Sequence, residues 1–266
     1  MLPTDGKPMK VVLMVLLFAG GHTYKDGPAG GDVYSIHIAK GNDFYRSFDN
    51  KQALSEYRTA YALAPDRFET LQKLVRIYND LGRLTLHKDA GSEFYYRKAL
   101  AYADSLREHF PDRAETHFWL ALCKGSLIPF VGVREKIAIS DSVLREADKA
   151  IAIDSSFALP YVILGIFQRE ASKMSWLEHL LANVVFGANF SGSLPASEAL
   201  LRKSVALDSL NSFGYFELAR TYRAMEDSAH AIACLQKLLT LPPTSARERQ
   251  QAEIAERQLA MLLKKR

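Results

Sequence analysis

The chain has 266 residues, 48% of them hydrophobic and 24% charged, with 34 Lys and Arg against 30 Asp and Glu and a net charge of +4. These proportions are ordinary for a soluble folded protein. The basic residues gather only at Lys264-Lys265-Arg266; with no basic stripe and no RNA or DNA motif, nucleic acid is excluded as the expected partner.

In chain order, Met9-Lys10 leads into the apolar run Val11–Ala19 and then Gly20-Gly21. That run is shorter than the roughly 20 residues a spanning helix needs, but it suits the core of a signal peptide, with small residues where cleavage would fall. Residues 1–21 are therefore read as a signal peptide or N-terminal apolar segment, and the protein as exported to a periplasm or secreted. A membrane anchor through the same segment is the alternative. No Cys follows the run, so a lipoprotein anchor has no support. Residues 22–33 are rich in Gly and read as a linker. Residues 34–266 form the expected folded domain.

Within that domain one residue order recurs. Its clearest copy is Tyr215, Leu218, Ala219, Tyr222, Ala231, Leu235, Leu238 and Pro243, and an earlier copy runs through Gly41, Phe44, Ala53, Tyr57, Ala60 and Pro65. This is the order of the tetratricopeptide repeat, a helix–turn–helix unit of about 34 residues. Apolar residues at three- and four-residue spacing predict two helices per unit, A and B. Small residues at Gly41, Ala121, Gly165 and Ala219 mark where A must approach B closely. The B helices end alike, at Leu63-Ala64-Pro65, His109-Phe110-Pro111, Ile153-Asp154-Ser155, Leu207-Asp208-Ser209 and Leu241-Pro242-Pro243. Pro stops a helix because it lacks an N–H, while Ser and Asp favour turns and caps. A plain helical bundle would not restore one residue order in this way. The expected fold is all-α, a solenoid of about five such units.

The endings Pro65, Pro111, Ser155, Ser209 and Pro243 stand 46, 44, 54 and 34 residues apart. The three middle units are thus longer than the repeat, with extensions near Arg83–Glu93, Ser126–Ile137 and Ser175–Leu194, expected in the A–B loops on one edge of the stack. Ser245–Lys264 is rich in helix formers and reads as the polar capping helix that a repeat stack needs.

Catalytic patterns are missing. No phosphate-cradling Gly loop, Gly-x-Ser-x-Gly, His-Glu-x-x-His or Cys-x-x-Cys is found, and the seven histidines are scattered. A non-enzymatic protein without metal or cofactor is expected. His37 and His117 take the large-residue position of helix A and read as packing residues. Cys123 and Cys234 read as buried thiols acting as small hydrophobes.

Function is sought on the A helices, which line the inner face of such stacks. Polar positions Asn42, Tyr45, Arg46, Gln72, Arg76 and Asn79 suit a peptide. Further along, Phe118, Leu122, Val162, Ile166, Phe213 and Phe216, with Arg169, Arg220 and Arg223 beside them, suit an apolar chain with an acidic head. The stretch Trp176–Phe186 is too apolar for water. Burying each exposed Leu or Phe is worth about 1.5–3 kcal/mol, so the stretch is expected to cover this strip. The leading expectation is a scaffold that binds a protein or peptide on its concave face; a lipid or other apolar ligand in the groove of repeats 3–5 is the alternative.

Glu135-Lys136-Ile137, Leu144–Ile151, Leu164-Gly165, Ala171–Glu178 and Phe186-Gly187 together resemble the regulator of microtubule dynamics proteins, a tetratricopeptide family also found in bacteria. The likeness spans roughly Ser35–Leu263 and is most specific around Ser175-Trp176. It implies a helical-repeat protein, associated in eukaryotic members with microtubules, mitochondria and membrane contacts. With its signal-like N-terminus, this chain reads as an exported bacterial member.

Overall fold

The computed structural model describes residues 29–85, 90–173 and 191–264. The apolar run Val11–Ala19 and the stretch Trp176–Phe186 lie outside them. Among the described residues there are eleven α-helices: α1 Ala29–Arg46, α2 Asn50–Leu63, α3 Phe68–Leu84, α4 Ala90–His109, α5 Ala114–Leu127, α6 Val133–Ile153, α7 Ala158–Ala171, α8 Leu194–Leu207, α9 Ser212–Ala224, α10 Ser228–Leu239 and α11 Ala246–Lys264. A short 3-10 turn, Ile128–Phe130, joins α5 to α6.

The helices pair as the repeat predicts, α1 with α2, α3 with α4, α5 with α6, α7 with α8 and α9 with α10. Each B helix then packs on the next A helix, and α3, α5, α7 and α9 also touch one another in sequence, which makes them the inner layer. A two-helix unit cannot bury its own apolar face, so the core is continuous along the stack. One cluster of buried residues runs from Tyr34 to Ala255. The protein is an all-α solenoid of the tetratricopeptide type.

The small residues act as predicted. A Cβ built on Gly165 would lie 2.6 Å from Leu201 Cγ, and one on Gly41 would strike the Tyr57 ring. Leu201 is fully buried and has no room to give. Gly165→Val is therefore expected to destabilise the protein by about 1–3 kcal/mol in urea unfolding.

Helix starts follow side-chain chemistry. Asp49, Ser193, Asn211 and Asp227 each accept a hydrogen bond from the backbone N–H three residues on. The unextended first and last units turn from A to B through one residue of positive φ before the capping Asp, Phe48 at 68° and Glu226 at 61°. In unit 2 the extension lengthens both helices, α3 to Leu84 and α4 back to Ala90. In unit 3 it supplies the 3-10 turn and the first turns of α6.

His117 is buried, with Nδ1 at 2.7 Å from Glu146 Oε2 and Nε2 at 2.7 Å from the Pro111 carbonyl. Its counterpart in the first unit, His37, meets Glu56 at 2.6 Å. Both histidines tie helix A to helix B. The two cysteines are buried and free, and burial pushes the Cys123 thiol up to about 12.

Candidate functional site

Two regions of the inner layer carry the candidate residues. Over the first two units, the Tyr45 hydroxyl donates to Asp80 Oδ2 at 2.6 Å, and the Tyr57 hydroxyl donates to Asn42 Oδ1 at 3.0 Å. The Arg76 guanidinium lies 5.9 Å from the Tyr45 ring centroid and 5.8 Å from that of Trp119. Arg46 is exposed and paired with Asp43, and Gln72 is half-buried. Asn79 is buried instead, with Nδ2 at 3.5 Å from Cys123 Sγ, so it stands beneath the surface rather than on it.

This polar face is not open. The helix expected to cap the end of the stack, α11, turns back across the inner layer and packs on α3, α9 and α10. Arg247 Nε reaches Asp80 Oδ1 at 3.4 Å, its guanidinium lies 5.1 Å from the Phe213 ring centroid, and Arg249 lies over Phe48. Gln251 Nε2 donates to the Ser212 carbonyl at 3.1 Å. The turn-back follows from Pro242-Pro243, which stop α10, and from Ser245, whose hydroxyl accepts from the Glu248 N–H while Glu248 accepts from Thr244. Burial raises the Asp80 carboxyl, against the opposing charge of Arg247, the Tyr45 bond and the charge of Arg76. Burial also raises the Tyr45 phenol.

The second region is a cavity of about 780 Å³ where the extensions of units 2 and 3 meet α7 and α9. Its walls are mostly apolar: Leu122 from α5, Ile128 and Phe130 from the 3-10 turn, Ile137 from α6, Ile163, Ile166 and Phe167 from α7, and Phe213 from α9. Tyr96 on α4 closes one side against Gly82, where a Cβ would lie 2.8 Å from the ring. Arg83, Lys136 and Arg220 bring positive charge to the lining, and Glu170 and Glu217 bring negative. The cavity exists because units 2 and 3 are longer than a bare repeat: without the 3-10 turn and the first turns of α6 it would lack a wall.

Of the residues singled out from sequence, Leu122, Ile166, Phe213 and Arg220 line this cavity. Phe118, Val162 and Phe216 do not reach it, being core residues below the inner face. Arg169 is 2% exposed, with Nη2 at 2.6 Å from Glu217 Oε2 and Nη1 at 3.0 Å from the Glu217 carbonyl. Nη1 also donates to Thr221 Oγ1, and Nε donates to Glu170 Oε1, each at 3.2 Å. Arg169 therefore clamps α7 to α9 instead of offering a free charge. Arg223 is exposed beside a smaller hollow shared with Arg169, Lys173 and Arg220. Sequence reasoning missed Tyr96, Phe130, Ile137 and Phe167. The apolar run Leu127–Val131 inside an otherwise polar extension was the one signal that could have found part of this wall.

Among the described residues no group of three His, Cys, Asp or Glu is placed to hold a metal ion. Nor is any described helix long and apolar enough to cross a membrane.

The family model described as Regulator of microtubule dynamics protein 1-3 matches residues 38–264. The chain belongs to that family. Regulator of microtubule dynamics protein 1 of Bos taurus is 23% identical over 231 residues, 86% of this chain and 73% of the relative. Regulator of microtubule dynamics protein 3 of Mus musculus is 23% identical over 192 residues, 72% of this chain and 40% of that longer protein. Among solved structures, a thermophilic TPR protein of Thermus thermophilus superposes with a TM-score of 0.60 at 18% identity, covering 84% of this chain and 98% of that one. That likeness is one of fold alone. The family match takes in both extensions that wall the cavity, and it takes in α11 to its last described residue.

Proposed function

We propose that the protein is a non-catalytic helical-repeat scaffold whose cavity binds an elongated apolar ligand with an acidic head. The cavity itself carries this reading. About 780 Å³ falls in the range of small-molecule sites, which are mostly apolar with a few placed polar groups. Leu122, Phe130, Ile137, Ile166 and Phe167 would hold the chain, and Arg83, Lys136 and Arg220 would meet the acid. The family relationship and the repeat fold support a scaffold that also binds protein. An exported chain, as Val11–Ala19 suggests, would not meet microtubules, so the role in the relatives' names is not carried over.

The test is titration of a fluorescent long-chain fatty acid into the detergent-free chain and into Ile166→Asp. A carboxylate in that wall costs several kcal/mol to desolvate, so binding should weaken at least tenfold. Equal binding by the two proteins, or none by the wild type at micromolar concentration, defeats the reading. Native mass spectrometry gives an independent check: a retained mass of a few hundred daltons, lost on denaturation, is the expected result.

A further inference from the structure

Away from the inner face and the cavity, a chain of aromatic rings runs through the place where α2, α3 and α4 meet. Tyr61 on α2 stands edge-on to Tyr102 on α4, with ring centroids 5.4 Å apart, and Tyr102 stacks on Tyr78 of α3 at 5.6 Å. Tyr95 lies 6.4 Å from Tyr78, and Phe94 lies 5.5 Å from Tyr95. Tyr78 is two positions from both Arg76 and Asp80, about 200° of helical turn, so it faces away from the inner layer. The rings therefore lie on the outer side of the first two units. There α2 and α4 each pack on α3 and scarcely on each other, which leaves a furrow between them. Tyr78, 6% exposed, is its floor, with Tyr61, Tyr95 and Tyr102 half-buried beside it and Phe94 exposed at its end. None of the five lines the cavity.

Packing of one repeat on the next accounts for the rings but not for their hydroxyls. Tyr34, Tyr45, Tyr57, Tyr161 and Tyr222 each bond a partner within the chain, whereas Tyr61, Tyr78, Tyr95 and Tyr102 bond none of the described residues. Burial pushes the Tyr78 and Tyr102 phenols up, so both stay protonated as donors. The charge beside them is positive. Arg58 on α2 acts on both phenols and is exposed, with no ion pair among the described residues, and Lys98 Nζ lies 5.7 Å from the Phe94 centroid. The furrow thus offers ring faces, unspent donors and cations, and it asks for a chain of carbonyl acceptors with apolar sides. An α-helix has already used its carbonyls on itself. A proline-rich chain has not: the polyproline II form makes no internal hydrogen bonds, its prolines carry no N–H, and its rings pack on aromatic side chains. We infer that this outer furrow between α2 and α4 is a docking site for a proline-rich segment of another protein, held in the polyproline II form, with an acidic residue beside it to meet Arg58. The inference does not rest on the cavity's ligand.

The experiment titrates the full chain into a labelled decaproline peptide, with and without two C-terminal glutamates, and follows fluorescence anisotropy. The acidic peptide is expected to bind about threefold more tightly than plain decaproline, the effect of a solvent-screened charge pair. Arg58→Glu should remove that difference and leave plain decaproline binding unchanged. The triple variant Tyr61→Phe, Tyr95→Phe, Tyr102→Phe keeps the rings and their packing but removes three donors, and both peptides should bind it about tenfold more weakly. Circular dichroism should show wild-type helicity in both variants; Arg58 is exposed, so its variant reads the charge preference even if the triple variant unfolds. No binding of either peptide by the wild type at millimolar concentration overturns the proposal. So does equal binding by the wild type and a folded triple variant, or an acidic preference that survives Arg58→Glu. Tighter binding of an amphipathic helical peptide, or self-association of the chain that the triple variant abolishes, would give the furrow another occupant and also overturn it.

Discussion

Arg169→Met is expected to lower the unfolding free energy by about 3–5 kcal/mol, the usual cost of breaking a buried ion pair from one side. Arg169 and Glu217 are each about 2% exposed. The guanidinium serves one carboxylate oxygen, one carbonyl and one hydroxyl on α9, and its Nε also donates to the neighbouring Glu170 on α7, where its backbone belongs. Methionine fills much of the arginine's volume but leaves Glu217 buried, with Arg220 at 3.1 Å as its remaining ion-pair partner among the described residues. The penalty comes mainly from that stranded charge rather than from lost attraction. Replacing both partners, as in Arg169→Met with Glu217→Leu, should therefore recover most of the loss. Urea unfolding of the wild type, both single variants and the double variant checks this. A single-variant cost below about 1 kcal/mol would mean that water reaches the pair and the clamp is not structural.

The second large effect concerns His117 and acid. Burial alone would raise the Glu146 carboxyl, but hydrogen bonds from His117 and Lys124 and the lysine charge outweigh it and hold the group below its usual value. A carboxyl depressed by folding contributes stability that is full above the unfolded value, about 4.3 for Glu, and is lost as pH falls through the folded value. The chain should therefore lose stability steeply below about pH 4, and Glu146→Gln should flatten that dependence. His117→Leu removes the bond to Glu146 and also leaves the Pro111 carbonyl without its ring N–H at the end of the preceding unit. A loss of about 2–3 kcal/mol at neutral pH is expected. An unchanged acid midpoint in both variants would show that other carboxylates govern acid unfolding.

Much of the architecture was legible because repeat packing is local. Gly41, Gly165 and Ala219 stand where helices cross, Tyr57 and Leu201 fill the space that they leave, and prolines end three of the five B helices. Each of these follows from residues within one unit or its neighbour, so periodicity carries the information. His117 was also legible as a packing residue, because its place in the repeat belongs to a large side chain.

The candidate site was only half legible. Leu122, Ile166, Phe213 and Arg220 follow from their place on the A helices. Tyr96, Phe130 and Ile137 come from extensions that break the period, where repeat position assigns no direction to a side chain. Arg169 was misread as a free cation because its partner, Glu217, lies 48 residues away and looks like any helical glutamate.

The sequence by itself determined the number of units, the pairing of their helices and the family, since each is written in spacings of a few residues. Only the tertiary structure decided that α11, packed on α10 at the end of the stack, also reaches back to Asp80 and Phe48, and that two unrelated extensions enclose one cavity. Those outcomes depend on contacts between residues more than 150 positions apart in one case, and on the joint shape of four units in the other. A linear pattern carries no trace of such meetings until the helices are stacked.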